Sequence, residues 1–309
     1  MRFAVIDLGT NTFNLLIGEL TPNKQNFTKL FQTKYAVKLG ENGINLGYIA
    51  DAPFNRGMSA LVNFRKHLDE YNITNVFAFA TSAIRSANNG NEFVAEALLK
   101  SNISINIIDG DEEAELIYYG NKLAVTMTDD ISLIMDIGGG STEFILANKQ
   151  TIFWKQSFLL GAARLLEKFN FKDPLSPSDE VIFNTYVINE LQPLFNAVKQ
   201  YKPTELIGSS GAFDSVIDLI TYQLRGEHMV ETKTEYHIDF FNYQFISKLI
   251  KKSTLAERKT LKGLIEMRVD MIVISMLLID IIVKEFELQK IRVSTYSLKE
   301  GVINKMLLG

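Results

Sequence analysis

Strands alternating with helices along 309 residues predict an α/β fold with mixed sheets, built as two related halves. Three observations carry this. Residues 132–146 (SLIMDIGGGSTEFIL) read as an apolar strand, a glycine turn and a returning apolar strand. Residues 3–17 (FAVIDLGTNTFNLLI) repeat that layout, so two half-molecules facing each other across a cleft are expected. Both Asp–Gly turns fall at strand ends, where open α/β sheets bind their ligands.

The composition sets the class. Hydrophobic residues make up 47% and charged residues 22%, the balance of a globular protein with a sizeable core. Without cysteine there is no disulfide, thiolate metal site or cysteine nucleophile. A net charge of −4 argues against general nucleic-acid affinity, so a polyanionic ligand has to meet a local basic patch. Asp7 interrupts the N-terminal apolar run too early for a signal peptide. The apolar run Met271 to Val283 is broken by Asp280 and too short for a bilayer, so it is expected as a buried helix. No membrane and no DNA partner are expected, and a cytoplasmic location is.

In chain order, a third strand is expected over Phe27 to Leu39, then a loop at Gly40–Gly47. Pro53 opens a helix to about Tyr71, with Phe54, Met58, Leu61, Phe64 and Leu68 at helical spacing. Strand 75–81 ends in the polar and basic run Thr81–Arg85. A helix near 92–100, a strand over 103–108 and a helix over 112–123, capped by Asp109–Asp111, complete the first half. The second half starts with the organising hairpin and continues with strand 151–158 and a helix opened at Gly161. One long helix is expected over 178–201, kinked by Pro193. Strand 205–207 and helix 212–224 follow, then a polar, irregular stretch over 225–237. Helices fill most of 240–286, a last strand covers 290–295 and a closing helix starts at Leu298. A hinge at 125–130 divides the chain into domains 1–124 and 125–309, with the closing helix 299–309 expected to pack back on the first domain.

The turns are where the chemistry is expected. Three consecutive glycines, Gly138, Gly139 and Gly140, mark close approach of the backbone to something, and such turns expose N–H groups that form anion nests. An ordinary hairpin needs neither three glycines nor a flanking acid. Asp136 before the turn and Glu143 after it are oxygen ligands suited to a divalent cation, and Asp7 stands in the same place in the first hairpin. Gly9, Thr10, Asn11 and Thr12, with Ser141 and Thr142, add backbone N–H groups and hydroxyls for phosphate oxygens. Arg85 suits a bidentate phosphate contact, or a surface ion pair. Gly208, Ser209, Ser210 and Gly211 form a third, weaker turn that opens a helix.

These segments together resemble the exopolyphosphatase/guanosine pentaphosphate phosphohydrolase (Ppx/GppA) family, of the actin–sugar kinase–heat-shock ATPase fold. Residues 6–13 (IDLGTNTF) resemble its first phosphate motif, and 80–85 (ATSAIR) its second. Residues 110–114 (GDEEA) resemble its catalytic-glutamate segment, and 135–143 (MDIGGGSTE) its signature turn. Residues 160–162, 208–211, 268–270 and 299–301 continue the likeness nearly end to end. The resemblance implies two actin-like (ribonuclease H-like) α/β domains with mixed sheets. It implies Glu113 as general base, Ser82 among the phosphate contacts, and Mg2+, or Mn2+ in its place, at Asp7, Asp136 and Glu143. The implied reaction is release of terminal phosphate from polyphosphate, with guanosine pentaphosphate (pppGpp) as the alternative substrate and a homodimer as an admissible assembly. The sequence departs from the family pattern at Asp109, where Ser is usual, at Lys299, where Arg is usual, and at Ala212, where a hydroxyl is common.

An actin-like ATPase or sugar kinase would share the Asp–Gly turns, but the Glu112–Glu113 segment matches the hydrolase. A binding-only sensor of polyphosphate or a nucleotide alarmone, with lost catalysis, is disfavoured by intact Asp7, Glu113, Asp136 and Glu143. A serine hydrolase is disfavoured, because Ala212 breaks the nucleophile-elbow pattern and His67, His228 and His237 are the only histidines. Lys299 and Arg268 are weaker phosphate candidates than Arg85, and Arg268 reads alternatively as a structural partner of Asp270 or another acid.

Overall fold

The computed structural model describes residues 1–23, 25–226 and 233–308. It resolves into two compact units, Met1–Gly120 with Leu298–Gly309, and Asn121–Ser297. Each has its own sheet and core, and both are α/β with mixed strand directions.

The first unit holds β1 (Arg2–Leu8), β2 (Thr12–Leu20), β3 (Phe27–Ala36), β4 (Val76–Ala80) and β5 (Ile105–Ile107), in the order β3-β2-β1-β4-β5. The hairpin strands pair antiparallel and β1, β4 and β5 run parallel. β1 is a continuous apolar run because both of its faces are covered. Helix α1 (Asp51–Glu70) lays Met58, Leu61, Phe64 and Leu68 into the core at helical spacing. The run 81–85, expected as a strand end, forms one helical turn instead, α2 (Ser82–Arg85), with Thr81 at its N-cap. Helix α3 (Gly90–Ser101) follows, then α4 (Gly110–Ala124). Asp109 caps α4, its Oδ1 accepting from the N–H of Glu112 at 2.8 Å, so the residue that departs from the family pattern does the work of an N-cap.

The second unit repeats the plan. β6 (Ser132–Ile137), β7 (Thr142–Ala147), β8 (Ile152–Phe158), β9 (Glu205–Ser209), β10 (Glu235–Ile238) and β11 (Ile291–Ser294) lie in the order β10-β11-β9-β6-β7-β8. Read outward from the hairpin, β8-β7-β6-β9-β11 matches β3-β2-β1-β4-β5 in order and direction, with β10 added at the edge. The helices are α5 (Ala162–Phe169), α6 (Pro177–Glu190), α7 (Gln192–Tyr201), α8 (Ser210–Arg225), α9 (Phe240–Lys252), α10 (Leu255–Thr260) and α11 (Ile272–Glu285). The closing helix α12 (Leu298–Leu308) belongs to the first unit, where it packs on β1.

Two expectations are corrected. The helix expected over 178–201 is two helices. Ser176 and Asp179 form a capping box at the start of α6, and Leu191 separates it from α7, where Pro193 occupies the first turn and needs no N–H donor. The stretch 225–237, expected to be irregular, supplies the last turn residue of α8 and most of β10. Its residues 227–232, with His228, lie outside the described residues. An edge strand tolerates the polar sequence EYHI, and Glu235 is fixed by Arg292 of β11, whose Nη1 lies 2.7 Å away. Arg292 also forks onto Glu205 at the start of β9. Burial pushes the Glu205 carboxyl up, but hydrogen bonds from Arg292, Lys290 and Ser132 outweigh it and hold the group below its ordinary value. Residues 272–283 lie in α11 and are buried except at the half-buried Asp280, and no helix among the described residues is long and apolar enough to cross a membrane.

Candidate active site

In the first hairpin β1 ends at Leu8, immediately before Gly9. The Gly9 N–H closes the turn on the Thr12 carbonyl at 3.1 Å, and a Cβ on Gly9 would sit 3.1 Å from that same oxygen. Thr10 is buried. Its carbonyl takes the Gly40 N–H at 3.4 Å, and the Asn11 carbonyl takes the Lys38 N–H at 2.9 Å. Asp7 lies opposite Asn14, whose Nδ2 donates to its Oδ2 at 3.2 Å.

Glu113 and Arg85 meet in the same unit. The single turn α2 brings Arg85 to the start of α4, where its Nη1 donates to the Glu113 carboxylate at 2.7 Å and to the Ile108 carbonyl at 3.0 Å. Glu113 is 7% exposed, whereas Glu112 beside it is exposed. Helical geometry separates the two: adjacent positions point about 100° apart. Arg85 is therefore neither a surface ion pair nor wholly available to phosphate; one nitrogen is committed to the candidate base. Ser82, 1% exposed, has a buried hydroxyl without a hydrogen-bond partner among the described residues.

In the second hairpin the Gly138 N–H closes on the Ser141 carbonyl at 3.0 Å. The turn then spends its carbonyls on α5. Gly138 accepts from Ala162 at 2.9 Å, Gly139 accepts from Ala163 and Arg164, and Gly140 accepts from Arg164 Nε at 2.8 Å. Among the described residues no acceptor takes the N–H groups of Gly139, Gly140 or Ser141, which leaves a nest of donors suited to an anion. This approach requires Gly161, where a Cβ would lie 2.4 Å from the backbone of Gly139 and Gly140. Thr142 donates to the Leu160 carbonyl at 2.9 Å, so its hydroxyl is committed to the fold.

Asp136 and Glu143 are directly opposed on β6 and β7 and share one face of the sheet. Both are buried. Asp136 Oδ2 accepts from Ser209 Oγ and Ser297 Oγ, each at 2.6 Å, and Glu143 Oε1 accepts from Ser157 Oγ at 2.7 Å. Hard oxygen donors paired on one face fit Mg2+, which takes one or two carboxylates and fills its shell with water and phosphate. No group of three His, Cys, Asp or Glu side chains able to hold a metal occurs among the described residues. Asp7, expected as a third ligand, has an amide opposite it in its own unit.

The third turn has a different logic. A Cβ on Gly208 would fall 2.1 Å from the Phe213 ring, so this glycine answers to packing. A Cβ on Gly211 would lie 1.9 Å from Arg268 Nη2, so Gly211 seats the Arg268 guanidinium at the start of α8. Burial lowers the Arg268 pKa against the pull of Asp214 and Asp136; Asp270 is exposed and does not contribute. Ser209 serves Asp136, and Ser210 adopts a φ of +70°. Sequence reasoning missed Ser157, Ser297 and the seat at Gly161. The nearest signal for Ser297 was its place beside the 299–301 motif; a lone serine in β8 gave none.

Known proteins resemble the chain over all or part of its length. A crystal structure of an exopolyphosphatase from Cytophaga hutchinsonii is 41% identical, covering 100% of this chain and 98% of that one with a TM-score of 0.96. A bifunctional 3-dehydroquinate synthase/phosphatase of Fusobacterium nucleatum is 37% identical over 179 residues, 56% of this chain and 27% of that protein. A guanosine-5'-triphosphate,3'-diphosphate pyrophosphatase of Pseudoalteromonas translucida is 27% identical over 310 residues, 99% of this chain and 59% of that protein. The chain thus spans about a quarter and three-fifths of the lengths of these two relatives. The Ppx/GppA phosphatase family profile matches residues 18–309, and with it the two α/β units, the chain belongs to that family of hydrolases.

Proposed function

We propose that the protein releases terminal phosphate from inorganic polyphosphate, with Glu113 as the general base that activates water. The observation that carries this is the Arg85–Glu113 pair: a carboxylate buried in the first turn of α4 and held in place at 2.7 Å by a guanidinium. A base must be fixed before it can be aimed, and Arg85 fixes it. The substrate choice is supported by the 41% identity to the Cytophaga exopolyphosphatase along the full chain. A second reading, pppGpp as substrate, is favoured by the Pseudoalteromonas relative, whose name is for that activity. Both substrates end in a phosphoanhydride, and the turns described here address only that end.

In this mechanism the N–H groups of Gly139, Gly140 and Ser141 bind phosphate oxygens, with Gly9, Thr10 and Asn11 as the corresponding turn of the first unit. The buried Ser82 hydroxyl and the nitrogens of Arg85 not committed to Glu113 and Ile108 are further donors. Asp136 and Glu143 would hold Mg2+, or Mn2+ in its place, and the three serines orient them. The ion, when bound, neutralises charge on the phosphate oxygens. Glu113 takes the proton of the attacking water.

The test is phosphate release from polyphosphates of several lengths and from pppGpp, side by side. Glu113→Gln should lower turnover by about 10²–10⁴-fold with substrate affinity nearly unchanged, and Glu112→Gln, at an exposed position, should do little. Near-normal turnover in Glu113→Gln sinks the base assignment. Release from pppGpp alone makes the second reading the correct one.

A further inference from the structure

Non-glycine residues with a left-handed backbone are few, and most of those described have a local reason. Asn72, Asn102, Asn170, Lys202 and Glu287 sit at helix C-termini, where that conformation ends a helix. Asn42 is a residue type that tolerates it. Two remain, and each adjoins one of the site's turns. Ser210 follows Ser209, the donor to Asp136, and Lys38 (φ +48°) donates its N–H to the carbonyl of Asn11.

Lys38 is clamped from both sides. Arg56 Nε donates to the Val37 carbonyl at 2.8 Å, and its Nη2 reaches the Lys38 carbonyl at 3.3 Å and Glu41 at 2.6 Å. The Glu41 N–H returns to the Lys38 carbonyl at 3.0 Å. Gly40 then presses on the phosphate turn so closely that a Cβ would lie 2.8 Å from Thr10 Cγ2. The charge of Arg56 is consumed by Glu41, whereas Lys38 is exposed and forms no ion pair among the described residues. Backbone strain persists only where the surroundings over-determine it, and it gathers at ligand sites. Here an over-determined backbone holds a lysine, with no ion pair among the described residues, in backbone contact with a turn whose amides and hydroxyls suit phosphate.

We propose that Lys38 is a substrate-binding residue whose ammonium takes a phosphate group of the polyanionic substrate next to the Thr10–Asn11 turn. It rests on the phosphohydrolase reading for its substrate class. The contact is made equally in ground and transition states, so it sets affinity and leaves the chemical step alone.

The experiment uses the full chain with Lys38→Gln, Lys38→Arg and Lys38→Gly, and reads binding of inorganic tripolyphosphate by calorimetry at several salt concentrations, phosphate release from polyphosphate, and thermal unfolding. Lys38→Gln should weaken binding and raise KM by about tenfold, as loss of one charge-assisted contact does, with kcat within about twofold. Its salt dependence should flatten by about one charge, and Lys38→Arg should restore most of the affinity. Lys38→Gly separates strain from packing: it should bind as weakly as Lys38→Gln yet melt about 2 °C higher, because glycine adopts this backbone without cost. Wild-type affinity and salt dependence in Lys38→Gln, with hydrolysis intact, overturn the proposal alone. Binding that depends on Lys38 in a chain that hydrolyses neither polyphosphate nor pppGpp supports this contact and overturns the function proposed above. A wild-type chain that does not bind tripolyphosphate overturns both.

Discussion

The hairpins β1–β2 and β6–β7 share a backbone and differ in charge. In each, an Asp precedes a glycine by two residues, and the glycine N–H closes on the carbonyl three residues on, at 3.1 Å from Gly9 and 3.0 Å from Gly138. In each, the residue opposite the Asp comes five after the glycine, but it is Asn14 in one and Glu143 in the other. Asp7 receives an amide donor from across the strand pair. Asp136 faces a second acid, and the pair is supplied with donors from elsewhere by Ser209, Ser297 and Ser157. Two buried acids on one face repel each other unless donors or a cation compensate. The repeat therefore keeps the geometry of the turn and places two opposed acids in one copy only.

The largest effect is expected when the second hairpin is made a copy of the first. Glu143→Asn removes one of the two acids and installs an amide. Mg2+ activation should disappear, and turnover should fall by more than the roughly 10–100-fold that losing an outer-shell partner costs. Asp136→Asn should do the same. Asp7→Asn should cost clearly less, because Asp7 already has a neutral partner. Phosphate release titrated with Mg2+ decides it: wild-type Mg2+ dependence in Glu143→Asn, or equal losses in Asp7→Asn and Asp136→Asn, would place the cation elsewhere.

Much of this was legible in the sequence because it is local. The hairpins, their apolar strands and the Asp-to-glycine spacing are fixed within fifteen residues or so, and they gave the two-unit α/β plan. That Glu113 rather than Glu112 is buried was not legible from the residues, since both stand in the first turn of α4 and only tertiary packing separates them. What came from far along the chain was hidden altogether. Ser297 reaches Asp136 from the end of the second unit, and Arg268 reaches the start of α8. Polar residues at such positions carry no periodic signal. β10 was missed because an edge strand does not need an apolar sequence, and α6–α7 because helical periodicity runs through a break of one residue.

Gly9→Ala and Gly138→Ala should be alike, since each added methyl meets the same turn carbonyl at nearly the same distance. Gly161→Ala should be much worse. Its methyl would lie 2.4 Å from backbone that cannot move without opening the Gly139–Gly140 nest. Overpacking of this kind costs typically about 1–3 kcal/mol. Thermal unfolding of the three variants tests this, and a Gly161→Ala protein as stable as Gly9→Ala would mean the nest yields easily.

The smallest effects distinguish the donors to Asp136. Ser209 and Ser297 both give hydroxyl hydrogens to the same oxygen at 2.6 Å, but Ser209 is fully buried and Ser297 is partly open. Water can replace the hydroxyl of Ser297 after truncation and has no room to replace that of Ser209. Ser209→Ala should therefore weaken cation binding by about tenfold, at the low end of outer-shell losses, and Ser297→Ala by less. Because both act through one carboxylate, the double variant should fall short of the product of the two. Mn2+ binding followed by electron paramagnetic resonance reads this without relying on turnover. Equal losses in the two single variants would mean that solvent exposure does not separate them, and no loss in either would mean that Asp136 is oriented by its strand alone.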